Sequence, residues 1–174
     1  MRKFVIIFCL ALVGAVAGGF SYWYLHSTPS QDVSAVAPPI NFHTLDGKTI
    51  SLQNLHGHWV LINFWASWCA PCMNEIPHLV QAQSDYASLG LKIVGPALDE
   101  ADAVRPMLTR FHINYPVTAD FTGGDQAMRA LGNDRGALPF SVLIDPDGFV
   151  AERILGGMSA EQLQSLLNRH LGNG

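Results

Sequence analysis

Residues 59–72 read Trp59-Val60-Leu61-Ile62-Asn63-Phe64-Trp65-Ala66-Ser67-Trp68-Cys69-Ala70-Pro71-Cys72. The first six form a short apolar run of β-branched and aromatic residues, the pattern of a buried strand. Beyond them Cys72, Met73, Glu75, Leu79, Val80 and Gln83 recur at helical spacing, so the two cysteines fall where a strand turns into a helix. Side chains at i and i+3 of a helix start share a face, with Cβ atoms roughly 5–6 Å apart. That is near enough to close a disulfide after small local adjustment. The first cysteine also meets unpaired backbone N–H groups and the positive end of the helix dipole, both of which favour a thiolate. A thiolate beside a second thiol is the minimum equipment for thiol–disulfide exchange.

Two cysteines at this spacing are also half of a structural zinc site. Such a site needs a second pair or a matching histidine cluster, and the one other cysteine, Cys9, sits in the apolar N-terminus. His56 and His58 flank Gly57 just before the strand and read as solvated loop residues. No metal site is therefore expected, and the redox reading of the pair stands.

The 174 residues amount to one domain with appendages. Apolar residues reach 49% against 14% charged, an imbalance that the N-terminus explains. After Met1-Arg2-Lys3 no charged side chain occurs from Phe4 to Leu25, a length sufficient for one membrane-crossing helix. Arg2 and Lys3 would stay in the cytoplasm and send the rest outward, with Tyr22, Trp23 and Tyr24 at the far interface. Ala15-Val16-Ala17 also fits a signal-peptide cleavage pattern; an uncleaved anchor over 1–25 is the reading adopted, with Cys9 an inert thiol within it. Formal net charge is −4 without a basic stripe, which argues against a nucleic-acid partner.

Residues 26–39, rich in Ser, Thr, Pro, Gln and Ala, have the composition of a flexible linker. A folded domain is expected over 40–174. Ile40-Asn41-Phe42 and Thr49-Ile50-Ser51-Leu52 alternate around Asp46-Gly47, which predicts a short hairpin at one end of the sheet. Strands are expected at 91–95, at 140–145 and at 149–154, a turn with a short strand over 114–120, and helices at 100–111 and 123–131. Ser159 with Gln162 predicts a capping box on a last helix whose inner stripe is Leu163, Leu166, Leu167 and His170. Pro77 should interrupt and kink the first helix. The alternation of strands and helices implies parallel βαβ units with right-handed crossovers.

Two stretches, Phe64 to Pro77 and Ala137-Leu138-Pro139-Phe140-Ser141-Val142-Leu143-Ile144-Asp145, resemble the thioredoxin superfamily, and more closely its TlpA/ResA-like branch of membrane-tethered thiol–disulfide oxidoreductases. The resemblance covers roughly residues 38–171. It implies an α/β thioredoxin-like fold, a central mixed sheet flanked by helices, with an N-terminal hairpin addition. By the same resemblance Pro139 is a cis-proline facing the cysteine pair, and the backbone of Leu138 before it pairs with the substrate chain. A glutamate at the offset of Glu75 is associated with the active site in this branch. Three residues past Cys72, Glu75 can face the sulfur pair and relay a proton to or from the second thiol. Asn63 departs from the soluble thioredoxins, which carry a buried aspartate at the matching strand position, so any relay falls to Glu75. Trp65 reads as packing, while Trp68 reads as part of the apolar surface on which a partner docks.

The expected activity is a reductase of protein disulfides through Cys69 and Cys72, with no cofactor and with a membrane electron donor restoring the dithiol. Clients implied by the resemblance include apocytochromes c and copper-site assembly proteins. The rival is a copper chaperone holding Cu(I) on the same two thiolates, with His78 and His112 as loose candidates for a further ligand. A thiol peroxidase is disfavoured because Ala66, not threonine, stands three residues before Cys69.

Overall fold

The computed structural model describes residues 35–172. The expected anchor over 1–25, with Cys9, and most of the expected linker lie outside the described residues. No helix among the described residues is long and apolar enough to cross a membrane. The end of the expected linker, Ala35 to Ala37, is hydrogen-bonded to the domain: Ala37 N–H donates to Gly148 O at 2.9 Å and Val150 N–H donates to Ala35 O at 2.9 Å.

The chain first makes the predicted hairpin, β1 (Asn41–His43) and β2 (Thr49–Ser51), around Gly47 at φ 82°. Strand β3 (Trp59–Phe64) leads into helix α1 (Ala70–Tyr86), followed by β4 (Leu91–Ala97), α2 (Ala101–Arg110), β5 (Val117–Ala119) and α3 (Phe121–Ala130). Then come β6 (Phe140–Ile144), β7 (Val150–Leu155) and α4 (Ala160–Leu171). The main sheet has the order β5-β4-β3-β6-β7. Its β3–β4 and β4–β5 pairs are parallel, its β3–β6 and β6–β7 pairs antiparallel. The hairpin lies along the β5 edge, where Leu45 N–H donates to Val117 O at 3.0 Å, and so covers a strand that would otherwise present free backbone groups.

Both faces of the sheet are buried, which is why β3 reads as a continuous apolar run rather than an alternating one. Val60, Ile62 and Phe64 pack into one core with Val94, Met128, Leu131 and Val142. Leu61 and Trp65 pack into the other, with Cys69, Cys72, Ile76, Leu79, Ile93 and Leu167. Asn63 falls on the second face between Leu61 and Trp65, and it is 1% exposed.

Several expectations need correction. Pro77 does not interrupt its helix, since α1 runs on to Tyr86 with the proline inside it; packing of Ile76, Leu79 and Ala82 into the core holds the element across the lost N–H. Strand β4 does not stop at Gly95 but continues through Pro96, whose carbonyl accepts from Trp65 N–H at 3.2 Å although the proline has no donor of its own. Helix α3 starts two residues before the expected Gly123, because the Asp120 side chain accepts from Gly123 N–H at 2.9 Å and caps it. His170 lies at the margin of the α4 stripe, its Nε2 2.8 Å from Glu152 and its ring 5.1 Å from that of Trp59. The capping box of Ser159 and Gln162 is formed as expected.

Candidate active site

The β3–α1 junction fixes the cysteine pair. Cys69 is the N-cap of α1, in extended backbone, and Cys72 lies in the first turn. Their Cα atoms are 5.3 Å apart and the sulfurs are bonded at 2.02 Å. Cys72 N–H points at Cys69 Sγ from 3.3 Å, so a donor of the open helix end is spent on the first sulfur. Both cysteines are buried, Cys69 at 5% exposure and Cys72 at 1%. Pro71 occupies the first helical turn, where a missing N–H costs nothing.

The loop before Cys69 is tied down from the end of β4. Asp99 Oδ2 accepts from Ser67 N–H at 3.1 Å and from the Ser67 hydroxyl. Burial pushes the Asp99 carboxyl up, but these donors and Glu100 N–H outweigh it and hold the group below the usual carboxylate range. Trp68 projects from this anchored loop and is 68% exposed, next to Cys69 in the chain. Trp65 is fully buried, its Nε1–H donating to Gly95 O at 3.2 Å.

Pro139 enters from the start of β6, and the Leu138–Pro139 peptide is cis. Its carbonyl accepts from Gly156 N–H at 2.9 Å. A Cβ on Gly157 would lie 3.5 Å from Pro71 O and 3.8 Å from Pro139 Cγ, ordinary contact distances, so the 156–158 segment runs against both prolines. Leu138 is half-buried and bridges the two cores. Pro71, Pro139 and Gly157 thus converge beside the cysteines.

Glu75 lies under the pair, one helical turn beyond Cys72 and 1% exposed. Met158 N–H donates to its Oε1 at 3.3 Å, and Asn63 Nδ2–H donates to its Oε2 at 3.2 Å. The second Nδ2 hydrogen of Asn63 goes to Ser141 Oγ at 2.9 Å. Burial raises the Glu75 carboxyl from the ordinary 4.5 to about 7, with the Met158 and Asn63 donors opposing the rise. A carboxyl poised there can accept and release a proton at neutral pH.

Three of these partners were not anticipated. Ser141 lies directly opposite Asn63 in the β3–β6 register, and two polar residues facing each other in otherwise apolar strands were a readable signal. Met158 acts through its backbone, and Asp99 follows a strand end without a distinguishing pattern; neither leaves a mark in the sequence. His78 is half-buried on α1 and His112 is exposed just beyond α2. Among the described residues no group of three or more His, Cys, Asp or Glu side chains is arranged to hold a metal ion.

Fold and site together define a thioredoxin-fold protein thiol–disulfide oxidoreductase. The AhpC/TSA family model matches residues 33–153, and the chain belongs to that family, with the ResA-like oxidoreductases as its relatives. It is 34% identical over 167 residues to the thiol-disulfide oxidoreductase ResA of Bacillus thuringiensis, covering 95% of this chain and 94% of that one. Against ResA of Bacillus subtilis the identity is 32% over 133 residues, 76% and 72% of the two chains. A thioredoxin family thiol:disulfide interchange protein of Chlorobium tepidum has a similar solved structure, with TM-score 0.71, 34% identity, and coverage of 80% of this chain and 97% of that one.

Proposed function

We propose that the protein is a membrane-tethered, extracytoplasmic reductase of protein disulfides, built as an anchor over 1–25, a linker over 26–39 and a catalytic domain over 40–174. The Cys69 thiolate attacks one sulfur of a substrate disulfide, breaking that bond and forming a Cys69–substrate disulfide. The displaced substrate thiolate takes up a proton from solvent. Cys72 then gives its proton to the Glu75 carboxylate and attacks Cys69. The mixed disulfide breaks, the second substrate thiolate is released and protonated, and Cys69–Cys72 is left oxidised. Two electrons have moved from the enzyme dithiol to the substrate. Leu138 and Pro139 line the groove in which the substrate chain lies, and Trp68 borders it.

The observation that carries this reading is the Cys69–Cys72 pair at the start of α1, at disulfide distance, with the buried Glu75 carboxyl one helical turn beyond Cys72. A reductase outside the cytoplasm needs its disulfide reopened, which assigns a membrane electron donor as the second partner. The clients that the family resemblance implies are apocytochromes c and copper-site assembly proteins.

The test is insulin reduction with dithiothreitol, run beside a Cu(I) titration. Turnover should vanish in Cys69→Ser, whereas Cys72→Ser should accumulate a mixed disulfide with the substrate. Tight Cu(I) binding without turnover in the parent protein would replace the reductase reading by a copper carrier.

A further inference from the structure

Most of the Trp68 side chain is in solvent, so its backbone rather than its packing sets its direction. That backbone is a turn in which Cys69 N–H donates to Ala66 O at 3.1 Å, with Ser67 and Trp68 as the central residues. Both ends of the turn are anchored. Behind it Trp65 pairs with Ala97, Trp65 N–H donating to Pro96 O at 3.2 Å and Leu98 N–H to Trp65 O at 2.8 Å. Ahead of it Cys69 caps α1. The apex stands clear of these two supports and is gripped from the side. A single Asp99 oxygen, Oδ2, accepts from Ser67 N–H at 3.1 Å and from the Ser67 hydroxyl.

The mounting of Asp99 is itself firm. Asp120 N–H donates to Ala97 O at 3.3 Å, and a Cβ on Gly124 would come within 3.2 Å of Leu98 Cδ1, so α3 lies close against the end of β4. The other carboxylate oxygen, Oδ1, accepts from Glu100 N–H at 2.9 Å, at the N-cap of α2. One side chain thus joins the exposed turn to β4 and to the start of α2. Neither Asp99 nor Ser67 takes part in the reaction steps given above, yet their contact bears directly on the residue between Ser67 and Cys69.

We propose that Asp99 is a positioning residue for Trp68: its carboxylate clamps the turn apex to the end of β4 and holds the indole ready for a protein partner. Its bearing on catalysis rests on the docking role given to Trp68 above. An aromatic side chain already held in its bound orientation loses little freedom on contact, and that freedom is worth about twofold to tenfold in affinity. A small disulfide reaches the sulfur without using the indole, so the clamp selects polypeptide substrates over small ones.

For the test, the full-length protein in detergent is reduced, freed of reductant and mixed with excess insulin or excess bis(2-hydroxyethyl) disulfide. Acid quenching and alkylation then give a second-order rate constant for each. Trp68→Ala should lower the insulin-to-small-disulfide ratio severalfold. Asp99→Ala should lower it by about twofold to tenfold. In the Trp68→Ala background it should change the ratio by less than about twofold, because the two residues act through one side chain. Asp99→Asn, whose amide oxygen can still accept from Ser67, should recover most of the ratio. A parent-like ratio in Asp99→Ala, effects that multiply in the double variant, or an Asp99→Asn ratio as low as that of Asp99→Ala would each overturn the proposal. A general loss of stability gives no reason for the effect to vanish with the indole. Should Asp99→Ala fail to fold, Ser67→Ala takes its place, deleting the hydroxyl donor; a fall in the same direction is expected, and an unchanged ratio overturns the proposal. A parent-like ratio in Trp68→Ala removes the docking reading and the clamp with it, whereas a fall there with none in Asp99→Ala removes the clamp alone.

Discussion

Folding should become less favourable as pH rises through neutrality, and Glu75 should be the cause. Its carboxyl titrates near the ordinary 4.5 in the unfolded chain and at about 7 in the fold. Between those values the folded protein retains a proton that the unfolded chain has released, so stability falls with pH by about 1.4 kcal/mol per pH unit. The full loss is about 3 kcal/mol, complete once the pH passes the folded value. In guanidinium chloride this corresponds to a midpoint lowered by roughly 0.8 M for a domain of this size. The measurement is equilibrium unfolding of the oxidised protein from about pH 5 to about pH 8, in the parent and in Glu75→Gln. Subtracting the two removes every other titration, histidines included. Absolute stabilities are less informative, because a glutamine offers one acceptor oxygen where the carboxylate offers two, leaving either Asn63 or Met158 without its partner. The slope is the claim. Parallel pH curves for the two proteins would refute it, and with it the assignment of a neutral-range proton to this side chain.

Asp99→Ala should release both donors of Ser67 and lower stability at pH 7 by about 1–2 kcal/mol. The Asp99 carboxyl is held below its usual range, so its contribution is present above the unfolded value and lost as pH falls through the folded one. The cost of the substitution, read by denaturant unfolding, should therefore shrink in acid, and a cost that grew there would contradict the hydrogen-bonding account. Trp68→Ala should leave stability within about 0.5 kcal/mol, since the side chain is largely in solvent. It should raise KM for a protein disulfide severalfold while sparing a small-molecule disulfide; equal losses on both substrates would argue against a docking role.

How much of this was legible depended on whether the signal lay in residue type or in register. The strand–turn–helix around Cys69 and Cys72 was readable because an apolar β run, a turn and a helical stripe follow one another within a few residues. The hairpin at Gly47 and the capping box at Ser159 were readable for the same reason: each is a local rule satisfied within the chain's own neighbourhood. Element ends were less so. Pro77 looked like a stop and the strand from Leu91 looked complete at Gly95, yet core packing around the one and the acceptor carbonyl of Pro96 after the other carried α1 and β4 further. The partners of Glu75 were hidden more deeply, because one is a backbone N–H and the other belongs to a strand twelve residues earlier.

The proton-carrying role proposed for Glu75 is consistent with these partners. Asparagine at position 63 cannot hold a proton, but it can hold a carboxylate, and its two amide hydrogens are divided between Glu75 and Ser141. On the reading proposed above, the buried ionisable group sits on the helix that carries both cysteines rather than on the strand. One turn of α1 fixes its distance from Cys72 irrespective of how the strands shift. What the strand retains is the orienting role, relayed from β6 through Ser141. An acid on the helix with a neutral amide on the strand also avoids two carboxylates competing for one buried proton, a competition that would drive the higher of their values well above neutrality. The consequence is a single buried group titrating at about 7, near the pH at which a resolving thiol must be deprotonated and a substrate thiol reprotonated within the same catalytic cycle.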